Sequence, residues 1–139
     1  MDPNSLILFL SALAMVESGM NPDAIGNAGE KGVLQIQKIC VDDINRILTY
    51  EEYKYDDRLS IFKSVEMFII YTFYYAPCPD NFEQLARIWN GGPDGYRKES
   101  TVEYYNKVKE KAKSIKPDKF IEDAVLNSDI VQRLLNAAY

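Results

Sequence analysis

The chain has 139 residues, 47% of them hydrophobic, and a formal net charge of -5. Those values fit one soluble globular domain with a real core and argue against a nucleic-acid binder, which would carry a basic face. There is no histidine and there are two cysteines, Cys40 and Cys78, which excludes Ser-His-Asp and Cys-His catalysis, the usual zinc ligand sets and a disulfide scaffold.

The pattern predicts an all-α chain, with room for one short β-hairpin. Asp2 or Asn4 caps a first helix, with Pro3 in its first turn. Leu6 to Val16 is apolar nearly all round, which implies burial on several sides. It has no basic leader and runs straight into Glu17-Ser18, so it does not read as a signal peptide. It is also too short to span a bilayer. Gly19 stops the helix. A loop follows to Gly32, and Val33 to Ile39 reads as a strand or a helix start. Val41, Ile44, Ile47 and Leu48 suit an amphipathic helix, and Tyr50 to Asp57 a loop. Leu59 to Tyr75 reads as a long helix with Phe62, Val65, Ile69 and Thr72 along one side, broken by Ala76-Pro77-Cys78-Pro79. Asp80 is placed to cap a helix through Trp89. Another runs from about Thr101 to Lys113, with Ser100 and Glu103 as its capping box. Pro117 separates one or two C-terminal helices, with Ile130, Val131, Leu134 and Leu135 on one face. Lys107, Lys109, Lys111, Lys113, Lys116 and Lys119 form a locally basic stretch, more simply a solvated helix face than a site for an anionic polymer.

All seven glycines fall in two stretches. Gly19, Gly26, Gly29 and Gly32 lie in the first, and Gly91, Gly92 and Gly95 in the second. Two such loops, separated by helices, can line one cleft, because glycine lets backbone bend sharply and lets a ligand approach. With no histidine, acid–base work at neutral pH falls to carboxylates, Tyr or Lys. Glu17 stands at the edge of the first stretch, in the last turn of a buried helix. The negative end of the helix dipole and neighbours such as Leu13 and Val16 both disfavour its charged form and raise its pKa. That suits a general acid near neutral pH.

Glu17-Ser18, Gly32-Val33-Leu34-Gln35 and Ile88-Trp89-Asn90 resemble, in order, the Glu-Ser, Gly-Leu-Met-Gln and Ala-Tyr-Asn motifs of the lytic transglycosylases related to goose-type lysozyme. The flanks agree: Glu17-Ser18-Gly19-x-Asn21-Pro22-x-Ala24, then Asn90-Gly91-Gly92-Pro93, then Thr101-x-x-Tyr104-x-x-x-Val108. The resemblance covers roughly Leu6 to Val108. It implies a lysozyme-like helical catalytic domain over 1–139, with residues 115–139 as a C-terminal helical extension, acting on peptidoglycan glycan strands without metal or cofactor. In that family one glutamate protonates the bond between N-acetylmuramic acid (MurNAc) and N-acetylglucosamine (GlcNAc). It then serves as base on the muramic 6-hydroxyl, giving a 1,6-anhydro end.

Position by position, the resemblance makes Glu17 the acid/base and Ser18 its hydrogen-bonding partner. Gln35 and the Val33-Leu34 backbone contact the sugars, Asn90 binds nearby, and Tyr104 faces Glu17. Trp89 replaces a tyrosine, keeping a stacking surface and losing the phenol. Trp89, Tyr96 and Tyr104 each suit core packing as well as sugar stacking. Gln37 stands where goose-type lysozymes carry an aspartate, which favours transglycosylation over hydrolysis. Asp42, Asp43, Asp56 and Asp57 are the candidate water-activating bases of a muramidase, each more simply a cap or surface residue. The different-class alternative is an inactive wall-binding or structural protein on the same fold. With no export signal visible, a phage- or mobile-element lysin, made in the cytoplasm and delivered to the wall by another assembly, fits the resemblance.

Overall fold

A computed structural model describes residues 1–137. Among these, helices follow one another in the order α1 (Pro3–Ser18), α2 (Lys38–Leu48), α3 (Ile61–Tyr75), α4 (Phe82–Gly91), α5 (Val102–Ala112), α6 (Lys119–Asn127) and α7 (Asp129–Ala137). No helix among the described residues is long and apolar enough to cross a membrane.

Two apolar helices make the centre. In α1 the eight residues from Leu6 to Ala14 other than Leu8 are buried, and in α3 every residue from Ser64 to Thr72 is buried. Each fully buried Leu, Ile or Phe removes enough apolar surface from water to contribute roughly 1.5–3 kcal/mol. Amphipathic helices close around them: α5 and α6 on α1, and α2, α4, α6 and α7 on α3. Phe9 of α1 meets Phe68 of α3 edge-on at 6.1 Å and stacks on Phe82 of α4 at 4.6 Å.

The caps explain most boundaries. Asp2 accepts from the Asn4 and Ser5 N–H groups with Pro3 at the first helical position, and Gly19 ends α1 at φ +66°. Here the structure follows the sequence reading closely. The long helix begins at Ile61 rather than Leu59, because Tyr55–Leu59 forms a 3-10 turn and Ser60 accepts from the Lys63 N–H. The cap of α4 is Asn81, not Asp80; its side chain accepts from the Gln84 N–H. The Ser100–Glu103 capping box does not form. Glu99–Thr101 is a 3-10 turn leading directly into α5, so no free N-terminus remains there for Ser100 to cap. Val33 to Ile39 is neither strand nor helix over most of its length. It is a tight turn closed by isolated bridges from Lys31 to Ile25 and Ile36, and α2 starts at Lys38. These bridges take the place of the expected hairpin.

Residues beyond Ile115 pack into the centre. Ile121, Ala124, Val125 and Val131 are fully buried. The Asp118 N–H donates to Ser11 Oγ of α1 at 2.9 Å. Ser128 and Tyr53 both donate to the buried Glu66 carboxylate of α3, at 2.5 and 3.0 Å. A buried carboxylate is tolerable when it accepts such bonds. The basic stretch lies on α5 and the segment after it, where Lys107, Lys109, Lys113, Lys116 and Lys119 are exposed and Lys111 is half-buried.

Candidate active site

The site begins at the end of α1. Because Gly19 adopts the left-handed conformation, the chain turns off the helix immediately after Ser18. The Ser18 hydroxyl donates to the Val33 carbonyl at 2.8 Å and accepts from the Asn21 N–H at 3.1 Å. It therefore latches the helix end to the loop over residues 20–36. That loop closes on itself through Gly26 N–H to Glu30 O, Gly32 N–H to Ala24 O, and paired bonds between Lys31 and Ile36. Gly32 sits at φ +87°, and a Cβ there would lie 1.7 Å from the Arg58 carbonyl oxygen. Only glycine fits that turn.

Gln35 follows at φ +53°, its side-chain amide donating to the carbonyls of Gly32 at 2.9 Å and Ala24 at 3.2 Å. Val33 and Leu34 turn their side chains into the core. Arg58, buried and far along the chain, donates to the carbonyls of Tyr55, Gly29 and Ile36 and so pins the loop from below. Nothing in the sequence distinguishes Arg58 from a surface cation; its role follows from where the 3-10 turn places it.

The second glycine stretch arrives on α4. Trp89 donates through Nε1 to the Leu34 carbonyl at 3.1 Å and packs on Phe68 at 4.8 Å and edge-on to Tyr71 at 5.9 Å. One tryptophan thus joins the two stretches across 55 residues of chain. Between them opens a cavity of about 930 Å³. Glu17, Glu30 and Gln35 line one side, Trp89, Asn90 and Gly91 to Pro93 another, and Ile39, Asp43 and Arg46 of α2 with Tyr71 and Tyr75 of α3 complete it. Of the residues singled out in sequence, the cavity gathers Glu17, Gln35, Gln37, Asp42, Asp43, Trp89 and Asn90. Ser18, Val33 and Leu34 do not line it: the Ser18 hydroxyl bonds to Val33, Ala14 and Asn21 and not to Glu17, and the Val33 and Leu34 carbonyls are taken by Ser18 and Trp89, so the expected Ser18–Glu17 bond does not form and these groups hold the loop instead. Tyr96 is packed against the core with the Arg97 guanidinium over its ring at 5.2 Å, away from the cavity.

Tyr104 reaches Glu17 from α5. Its hydroxyl donates to Glu17 Oε2 at 2.6 Å, joining residues 87 apart in sequence. Burial pushes the Glu17 carboxyl from its ordinary 4.5 up to about 7; the Tyr104 bond pulls it back partway, and the nearby Glu30 charge pushes it further up. Burial also holds the Tyr104 hydroxyl well above the usual tyrosine range, so it stays protonated and can only donate its proton to Glu17.

The four candidate aspartates divide. Asp42 and Asp43 line the cavity but are engaged: Tyr55 donates to Asp42 at 2.8 Å, and Asp43 accepts from Tyr75 at 2.5 Å and from Arg46 at 2.8 Å. Asp57 accepts from the Lys54 N–H and pairs with Lys63, and neither it nor Asp56 reaches the cavity. Cys40, on the cavity wall, is a free thiol that burial and then Asp43 push up to about 12. It is therefore no nucleophile at neutral pH. Cys78 is also free. Among the described residues no group of three His, Cys, Asp or Glu could hold a metal ion.

Glu30 was not singled out in sequence, although it lies inside the first glycine stretch, between Gly29 and Gly32. A carboxylate within a loop already expected to line a cleft was the signal that could have found it.

A model of the transglycosylase SLT domain family matches residues 3–72. The match spans α1, the 20–36 loop, α2 and most of α3, and so includes Glu17 and Gln35 but ends before Trp89. No curated protein and no solved structure matches the chain.

Proposed function

Since the chain belongs to the transglycosylase SLT domain family, whose general activity is lytic cleavage of peptidoglycan, we propose that it cuts the MurNAc–GlcNAc β-1,4 bond with Glu17 as its one acid and base. The observation that supports this most is a glutamate protonated up to about pH 7, at the edge of a cavity that also holds Gln35, Trp89 and Asn90. Tyr104 donates to Oε2, which leaves Oε1 to carry the transferable proton. In the first step that proton passes to the glycosidic oxygen as the bond to the anomeric carbon breaks. In the second, the Glu17 carboxylate takes the proton of the muramic 6-hydroxyl while its oxygen bonds to the anomeric carbon. Glu17 ends protonated as it began, and the glycan ends in 1,6-anhydro-MurNAc.

The substrate brings its own nucleophile, so the scheme needs no water-activating carboxylate, unlike the usual pair. The engagement of Asp42 and Asp43 by Tyr55, Tyr75 and Arg46 and the glutamine at 37 favour this over a hydrolytic muramidase. Gln35 and Asn90 are the sugar-contacting side chains in this reading, and Trp89 offers a ring face. The place of action is the bacterial cell wall, reached by delivery from a phage or secretion assembly.

Replacing Glu17 by Gln keeps the shape and removes the proton. Turnover of purified peptidoglycan should fall on the order of 100- to 10,000-fold, with wall binding retained. A variant keeping about a tenth of wild-type turnover would remove Glu17 from the acid role. Binding without release of fragments by the wild-type protein would instead favour a wall-recognising protein.

A further inference from the structure

Three features of Glu30 go beyond the scheme above, which uses only Glu17. Its carboxylate lines the same cavity. Its side chain occupies the space Gly26 leaves open: the Gly26 N–H donates to the Glu30 carbonyl at 2.8 Å, and the side chain folds back over Gly26 so closely that a Cβ there would lie 1.6 Å from Oε1. Any other residue at 26 would displace it. And its charge is uncompensated. Asp43 shares the cavity but is paired with Arg46 and bonded by Tyr75, and Asp42 accepts from Tyr55; Glu30 has no ion-pair partner and no side-chain hydrogen bond among the described residues. A carboxylate in the cavity with no partner of its own is free to face positive charge that develops there.

We propose that Glu30 is a second acidic residue of the cleft, a carboxylate presented by the 20–36 loop to the sugar ring that gains positive charge as the glycosidic bond breaks. The proposal rests on the glycan-cleaving reading. Glycoside cleavage passes through an oxocarbenium-like state, and a fixed negative charge in a cavity partly shielded from water stabilises that state more than the neutral ground state. Glu30 need form no bond and move no proton for this. The same charge helps keep the proton on Glu17. Other groups facing Glu17 or its cavity are Tyr104 from α5, Cys40, Asp42, Asp43 and Arg46 from α2, and Tyr71 and Tyr75 from α3; α4 contributes the uncharged Trp89 and Asn90.

The test compares wild type, Glu30→Gln and Glu30→Asp. Two readouts are taken: kcat/KM on purified peptidoglycan across pH, and titration of Glu17 by carbon NMR of labelled carboxyls. Gln preserves the packing over Gly26 and removes only the charge. The expected result in Glu30→Gln is a fall in kcat/KM on the order of tenfold or more, carried by kcat rather than KM. The alkaline limb should also move to lower pH, because Glu17 loses its proton more readily without a negative neighbour. Glu30→Asp should recover part of both. An unchanged kcat/KM, or a Glu17 midpoint that does not move, overturns the proposal. The two readings fail separately: a wild-type protein releasing no fragments sinks the glycan-cleaving reading and the proposal with it, whereas a wild-type protein that releases fragments beside an equally active Glu30→Gln sinks the role of Glu30 alone.

Discussion

Glu17 carries its proton at a cost to the fold, and that cost has a defined pH window. Its carboxyl titrates near 4.5 when exposed and near 7 when folded. Between those values the folded state holds more protons than the unfolded state, so stability falls as pH rises through the window and stays low above it. Glutamine has no proton to lose. Relative to wild type, Glu17→Gln should therefore gain stability from pH 4.5 upward, levelling off above about pH 7 at on the order of 1–3 kcal/mol. Chemical denaturation of both proteins at pH 4 and pH 8 measures it, and a difference that does not grow with pH would contradict the burial of Glu17. At this scale the sequence was informative where a motif stood out. Glu17 and Tyr104 were both legible, and so was the sense of the pKa change. The cause was legible only in part: burial is the main one, but the Glu30 charge depends on a side chain folding over Gly26, which no local pattern encodes. Arg58 was illegible for a related reason, since its three carbonyl partners come from separate parts of the chain.

Among the elements, α3 is the one on which both glycine stretches depend. It carries Phe68 and Tyr71, on which Trp89 packs, and its buried run from Ser64 to Thr72 joins α2, α4, α6 and α7. Ile69 is fully buried, whereas Phe62 lies in the first turn and is only half-buried. Ile69→Ala should cost roughly 2–5 kcal/mol. Phe62→Ala should cost clearly less, although the sequence ranked the two together. Urea unfolding of the two variants gives the comparison, and equal losses would contradict the packing. The periodicity of α3 correctly marked a buried helix, but a nearly all-apolar helix shows no preferred face, so the end that meets solvent could not be read from it. The misplaced boundaries have one physical origin. At Asn81 and Ser60 a neighbouring turn decided which polar side chain reached the free N–H groups, and several residues near each site were chemically able to do so; ahead of α5 a 3-10 turn runs straight into the helix and no side chain caps it.

On the scale of the whole molecule, function depends on bringing the end of α1, the 20–36 loop, α4 and α5 to one place. Two long-range bonds secure this, Trp89 to Leu34 and Tyr104 to Glu17. The all-helical class was readable from composition and helical spacing, and the single cleft from the pairing of the glycine stretches. How α6 and α7 pack on α1 and α3 was not readable, because their short amphipathic faces fit many partners. The cavity that results holds Glu17, which keeps its proton up to about pH 7, the unpaired Glu30 and two aspartates already engaged, and the reaction proposed for it is completed by the muramic 6-hydroxyl, not by water. Mass spectrometry of the soluble fragments released from purified peptidoglycan tests this directly. The fragments should end in 1,6-anhydro-MurNAc, and Glu17→Gln should release almost none. Fragments ending mainly in reducing MurNAc, one water heavier, would contradict it and make the protein a hydrolase.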